Sequence, residues 1–102
     1  MRPKKDRWIS CDTRKRVFNP QNKVSNKQED IFLTLDEFES IRLADLEGLK
    51  QEDAAKLMKI SRPTFSRIIS SAHKKIGDAL VNIKTLKIEG GCCKILKKKQ
   101  FT

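Results

Sequence analysis

The sequence predicts a mainly α domain, a three-helix core of helix-turn-helix type, with a minor β-element made by its amino- and carboxyl-terminal segments. Three observations carry this. Residues 34–48 read as a capped helix start, an apolar stripe and a glycine stop. Residues 49–75, LKQEDAAKLMKISRPTFSRIISSAHKK, read as a short helix turning tightly into a longer one. Residues 85–89 alternate in strand fashion and stop at Gly90-Gly91. A chain of 102 residues suits one domain with a single modest core. We divide it into a basic, largely extended arm (1–30), the helical domain (31–82), and a short strand with a basic tail (83–102).

In the arm, Pro3 and Pro20 break any helix, and Trp8-Ile9 and Val17-Phe18 are the only apolar anchors. An extended, unpacked segment is expected there, tacked to the body through one of these pairs. Residues 21–30 read as a loop. Thr34-Leu35-Asp36-Glu37 fits a capping box, so the first helix starts at Leu35 and runs to about Glu47. Leu35, Phe38, Ile41 and Ala44, with Leu43 and Leu46 beside them, form its apolar stripe, and Gly48 ends it.

The second helix, about 51–58, opens with Glu52 and Asp53 at the positive end of its dipole and contributes Ala54, Ala55, Leu57 and Met58 to the core. Small Ala55 admits a close crossing, and Ile60 plugs the turn. Ser61 caps the third helix, with Pro63 in a first turn where its missing amide hydrogen costs nothing. Phe65, Ile68, Ile69, Ala72, Ile76 and Leu80 recur at intervals of three and four and define its core side. At about 100° per residue the opposite side collects Pro63, Ser66, Arg67, Ser70 and Lys74. The strand at 85–89 needs a partner: residues 8–11, residues 31–33, or its own copy in a dimer. The end, KILKKKQFT, is expected to be a mobile tail.

Charge separates function classes. The net charge is +10, distributed as +7 over residues 1–28, −5 over 29–60 and +8 over 61–102. Acid thus falls on the supporting helices and base on the third helix and both ends, a polarity that suits a polyanion. No run approaches the ~18 apolar residues of a membrane span, and MRPKKDRW lacks a signal peptide's apolar stretch, so no membrane partner and a cytoplasmic location are expected. One histidine, no nucleophile motif and no phosphate-cradling glycine loop argue against an enzyme. Cys11, His73, Cys92 and Cys93 are the candidate soft-metal ligands, but no pair has C-x-x-C spacing. Ordinary thiols are the favoured reading, and no cofactor is expected.

Leu43, Leu46-Glu47-Gly48-Leu49, Glu52-Asp53, Ala55, Ile60-Ser61 and Lys74-Lys75 before Leu80 carry a resemblance. Residues 33–80 look like the region-four helix-turn-helix of bacterial sigma factors. With the basic arm, the RPTFSRI run and KIEGG, the whole chain resembles a family of small, mostly uncharacterised prokaryotic proteins predicted to bind DNA. The resemblance implies a sequence-specific duplex-DNA-binding transcriptional regulator using residues 61–75 as its recognition helix. Ser61, Arg62, Thr64, Ser66, Arg67 and Ser70 would then face bases, and Lys74, Lys75, Lys4, Lys5 and Arg7 would meet phosphates. A homodimer is expected, because one helix reads too few bases for genomic specificity. RNA polymerase or another protein is a further expected partner. The alternatives are a protein-interaction module of the transcription machinery and a nonspecific RNA binder acting through basic tails. Two positions depart from the pattern: Lys59 stands where glycine is usual, and Lys50 where serine or threonine would cap the second helix.

Overall fold

The computed structural model describes residues 7–9, 16–21, 30–89 and 93–95, with the backbone alone described at Arg7 and 93–95. The elements run β1 (Arg7–Ile9), β2 (Arg16–Phe18), β3 (Ile31–Leu33), α1 (Leu35–Ile41) extended by a π-helical turn (Arg42–Leu46), α2 (Gln51–Leu57), α3 (Arg62–Val81), β4 (Leu86–Ile88) and β5 (Cys93–Ile95). The architecture is mainly α with a minor β-element.

The capping box starts α1 where the sequence places it. Thr34 N donates to Glu37 Oε1 at 2.9 Å, and the Asp36 carboxylate accepts both the Thr34 hydroxyl and the Glu37 amide. The expected single helix to Glu47 instead widens: Glu47 N donates to Arg42 O across five residues, at 2.9 Å. The wider turn rotates the stripe, so Leu43 is buried while Leu46 is 77% exposed, which corrects its assignment to the core. Gly48 takes the left-handed conformation (φ 75°) that ends this segment.

Alanines 54 and 55 and Met58 face inward from α2. Leu57, also expected in the core, is turned outward and 57% exposed, because it lies about 100° from Met58 around the helix axis. Lys50 occupies the cap of α2 without a capping side chain, and Lys59 in the next turn is left-handed (φ 57°). Ser61 caps α3 by accepting the Thr64 amide at 3.3 Å.

Along α3 sit two clusters. Phe65 and Ile69 pack with Leu43, Ala54, Ala55 and Met58, and one stretch later Ala72 packs with Leu33 and Ile88 of the sheet. Half-buried Ile41 touches both clusters. Leu80, expected on the core side, is 75% exposed, and Ala79 is the buried residue at that level.

The central strand is β4. It runs antiparallel to β2 with Val17 opposite Lys87, and parallel to β3 with Phe32 opposite the same lysine. One expected partner, residues 31–33, is therefore found. The other, residues 8–11, is not: β1 pairs in parallel with β5, Trp8 opposite Lys94. Two further expectations change with it. The arm is packed at β1, where Ile9 is 1% exposed and Trp8 N donates to Met58 O at 3.1 Å. The basic tail begins with a strand, β5. Most of the loop expected at 21–30 lies outside the described residues.

Candidate nucleic-acid interface

The face of interest is built by burying the opposite one. Phe65, Ile68, Ile69 and Ala72 are each at most 8% exposed, and their burial fixes the rotation of α3 about its axis. Arg62, Pro63, Arg67, Ser70 and Lys74 are consequently exposed, with Ser66 and Thr64 half-buried beside them. From Arg62 to Lys74 the helix advances about 18 Å at 1.5 Å per residue. The first acidic residue of α3 is Asp78, beyond this stretch.

At the amino end the side chains are pre-arranged by a small network. Ser61 Oγ donates to Thr64 Oγ1 at 2.9 Å, and the Arg67 guanidinium donates to the same oxygen at 3.3 Å. Thr64 thereby holds Arg67 one turn up from the cap, on the exposed side. Arg62 is exposed and makes no ion pair among the described residues. Arginine offers the geometry for two parallel bonds to guanine O6 and N7 or to a phosphate.

Lys75 is arranged differently from Lys74. Its Nζ lies 2.8 Å from Glu37 Oε1, while Ser71 Oγ donates to Glu37 Oε2 at 2.6 Å. Burial resists ionisation of Glu37, but the hydrogen bonds from Lys75, Ser71 and the Thr34 amide, with the charge of Lys75, together hold its carboxyl below the ordinary value of 4.5. One carboxylate thus closes the α1 cap and ties α1 to α3. The sequence signalled the first role and gave no sign of the second.

A second link missed in the sequence supports the α2–α3 turn. Lys59 Nζ sits 4.5 Å from the centre of the Trp8 ring, next to the backbone bond from Trp8 to Met58. Strand β1 therefore braces the turn that precedes the exposed face. The remaining candidates fall elsewhere. Lys4 and Lys5 lie outside the described residues, and Arg7 is placed by its backbone in β1.

His73 Nε2 lies 2.7 Å from Asp45 Oδ2 of the π-helical turn, an exposed pair. Cys11 and Cys92 lie outside the described residues, and the Cys93 backbone stands opposite Arg7. Among the described residues no three His, Cys, Asp or Glu side chains gather to hold a metal ion. Nor is any described helix long and apolar enough to cross a membrane.

Comparison with known proteins gives a family and no solved fold. No solved structure matches the chain. A UPF0251 protein of Caldanaerobacter subterraneus subsp. tengcongensis is 50% identical over 94 residues, covering 92% of this chain and 80% of its own length. A UPF0251 protein of Thermoanaerobacter sp. (strain X514) is 46% identical over 99 residues, 97% of this chain and 88% of its own. In Chlorobaculum tepidum a longer UPF0251 protein is 50% identical over 90 residues, which are 88% of this chain and 46% of that protein. The family model described as "Protein of unknown function DUF134" matches residues 1–96. The chain belongs to this DUF134/UPF0251 family of uncharacterised prokaryotic proteins.

Proposed function

We propose that the chain binds duplex DNA in a sequence-specific way, as a transcriptional regulator, by laying α3 in the major groove with α2 crossing behind it in the manner of a sigma region-four helix-turn-helix. The observation that carries this reading is the division of α3: Phe65, Ile68, Ile69 and Ala72 buried on one side, Arg62, Arg67, Ser70 and Lys74 exposed on the other. An 18 Å basic and hydroxylated stretch corresponds to about five base pairs at 3.4 Å each.

Arg62 and Arg67 are the readers in this proposal, with Ser61, Thr64, Ser66 and Ser70 as shorter-range contacts. Lys74 meets a phosphate, whereas the Lys75 amine is turned to Glu37. The same reading carries a homodimeric, cytoplasmic protein without enzymatic activity. A protein-interaction role keeps one supporting observation: α2 exposes Glu52 and Asp53 together with Leu57, a surface suited to a protein of the transcription machinery.

The test is binding to duplexes selected from genomic fragments of the native host, over a salt series. Arg67→Ala and Arg62→Ala should each weaken the selected duplex by about 5- to 150-fold, equivalent to ~1–3 kcal/mol, and relax sequence preference. Lys74→Ala should weaken all duplexes alike and lower the salt slope by about one. Affinity and preference untouched in both arginine variants would leave only tail electrostatics and end the groove-reading proposal.

A further inference from the structure

The carboxyl-terminal end of α3 carries a second surface of opposite character. Ile76, Ala79 and Leu80 follow the i, i+3, i+4 spacing of an apolar helix face and extend the stripe whose earlier members fill the core, and Ile83 follows just past the helix end. Here the body stops before the stripe does. Leu80 is 75% exposed, neighbouring Val81 79% and Ile83 38%. Beside them opens a groove of about 370 Å³, whose far wall is Phe18, Pro20 and Leu86. Phe18 itself is 57% exposed. Thr85 Oγ1 donates to Asn19 Oδ1 at 3.0 Å and fastens that wall to the strand β4 approach.

Two features mark this surface. The backbone at Ile83 is left-handed, φ 54°, and Lys84 N reaches back to Ala79 O at 2.9 Å, the helix closure in which glycine normally stands. A β-branched residue is strained in that conformation. Among the described residues that line the groove, on a chain of net charge +10, the one that is charged, Lys84, is paired with Asp78 at 3.2 Å.

We propose that this groove and the projecting Leu80–Val81 end of α3 form a two-fold interface with a second copy of the chain. Projection and hollow lie side by side on the same patch, which is what a self-complementary contact requires. A patch whose charge is paired in this way lets two strongly cationic copies meet with their like charges turned away, and under the two-fold axis Asp78 and Lys84 at the rim can exchange partners. Exposed Phe18, Leu80, Val81 and Ile83 make an apolar area of the few-hundred-Å² class that marks interfaces.

The geometry then deepens the DNA-binding reading, on which this one clause rests. Leu80 lies about 20 Å along the helix from Arg67, so two copies meeting there with opposed helices set their Arg67 residues about 40 Å apart or less, near the ~34 Å of one DNA turn.

Sedimentation equilibrium of the full chain, from about 1 to 300 µM, tests the interface. The wild type should reach twice 11.8 kDa. Leu80→Glu, which places an unpaired charge in the contact, should stay at the monomer mass throughout, with helicity and melting unchanged at low concentration. Ile83→Gly, whose backbone favours glycine, should raise the dimer Kd about tenfold and keep its helicity, so it carries the test if Leu80→Glu misfolds. A wild type that is monomeric at every concentration overturns the proposal and leaves the groove to an apolar ligand or a different protein; a Leu80→Glu chain that folds and still dimerises overturns it equally. The two readings fail separately: a dimer broken by Leu80→Glu in a protein that binds no duplex sinks only the DNA-binding proposal, and duplex binding by a monomeric wild type sinks this interface and the homodimer while leaving groove reading by α3 standing.

Discussion

At its amino end α3 follows Lys59, and at its carboxyl end it runs into Ile83, two residues held left-handed at φ 57° and 54° where glycine would be relaxed. Around the first, the molecule is dense: Met58 and Phe65 are fully buried, Trp8 covers the lysine, and a strand braces the turn. Around the second, Leu80 and Val81 stand in solvent beside an open groove. One helix thus has an end braced by a strand, with a polar outer face, and an end whose outer face is apolar and exposed. The contrast teaches that stability and interaction are assigned to different turns of α3. The core packs against the amino-terminal half, while the carboxyl-terminal end contributes surface.

Truncation breaks this contrast most sharply. Phe65→Ala should cost about 3–5 kcal/mol, the loss for a fully buried aromatic, whereas Leu80→Ala should change the stability of the monomer by less than about 0.5 kcal/mol. Denaturant melts at low concentration measure both, and similar losses would erase the distinction between the ends.

Where α1 meets the middle of α3, Glu37→Gln should cost about 2 kcal/mol, since Lys75 and Ser71 lose a charged acceptor. Because the folded carboxyl is depressed, its contribution is fully present above the unfolded value near 4.5 and is lost as pH falls through the folded one. Stability against pH should therefore be flatter in the variant below about pH 4.5.

Smaller effects refine the amino end. Ser61→Ala should cost about 1 kcal/mol through the lost cap. Lys59→Gly should gain about 0.5 kcal/mol in thermal melts, as relief of the left-handed backbone outweighs the lost contact with Trp8. A clear loss instead would mean that the Trp8 contact is the stronger of the two.

Local signals made much of this legible in the sequence. The Thr34 box, the Ser61 cap, Gly48 as a stop and the inward set of α3 through Ala72 all depend on residues within a turn or two of one another. What depended on distant partners was harder to read. Leu46 failed because a single extra residue in the helical turn after Ile41 rotates everything beyond it. Leu80 failed because periodicity states which way a side chain points and not whether anything lies opposite. The partners of β4 are three-residue strands reached across the whole helical body, with no hairpin to set register. Of the candidate interface, Arg62 came from the family resemblance, whereas the exposed identity of Pro63, Arg67, Ser70 and Lys74 followed from helix angle alone. The diversion of Lys75 to Glu37, 38 positions away, did not.

The placement of β4 between β2 and β3 has a consequence for how the chain comes into being. Both outer strands precede the helices in the sequence, and the strand that joins them follows all three. On the ribosome, Leu33 must wait uncovered for Ile88, with the helical body made in between. The cluster of Phe65, Leu43 and Ala54 has no such delay, because its members are close in sequence and emerge together. The helical half is therefore expected to form first and the sheet to close last, with a rate set by long-range pairing and not by the helices.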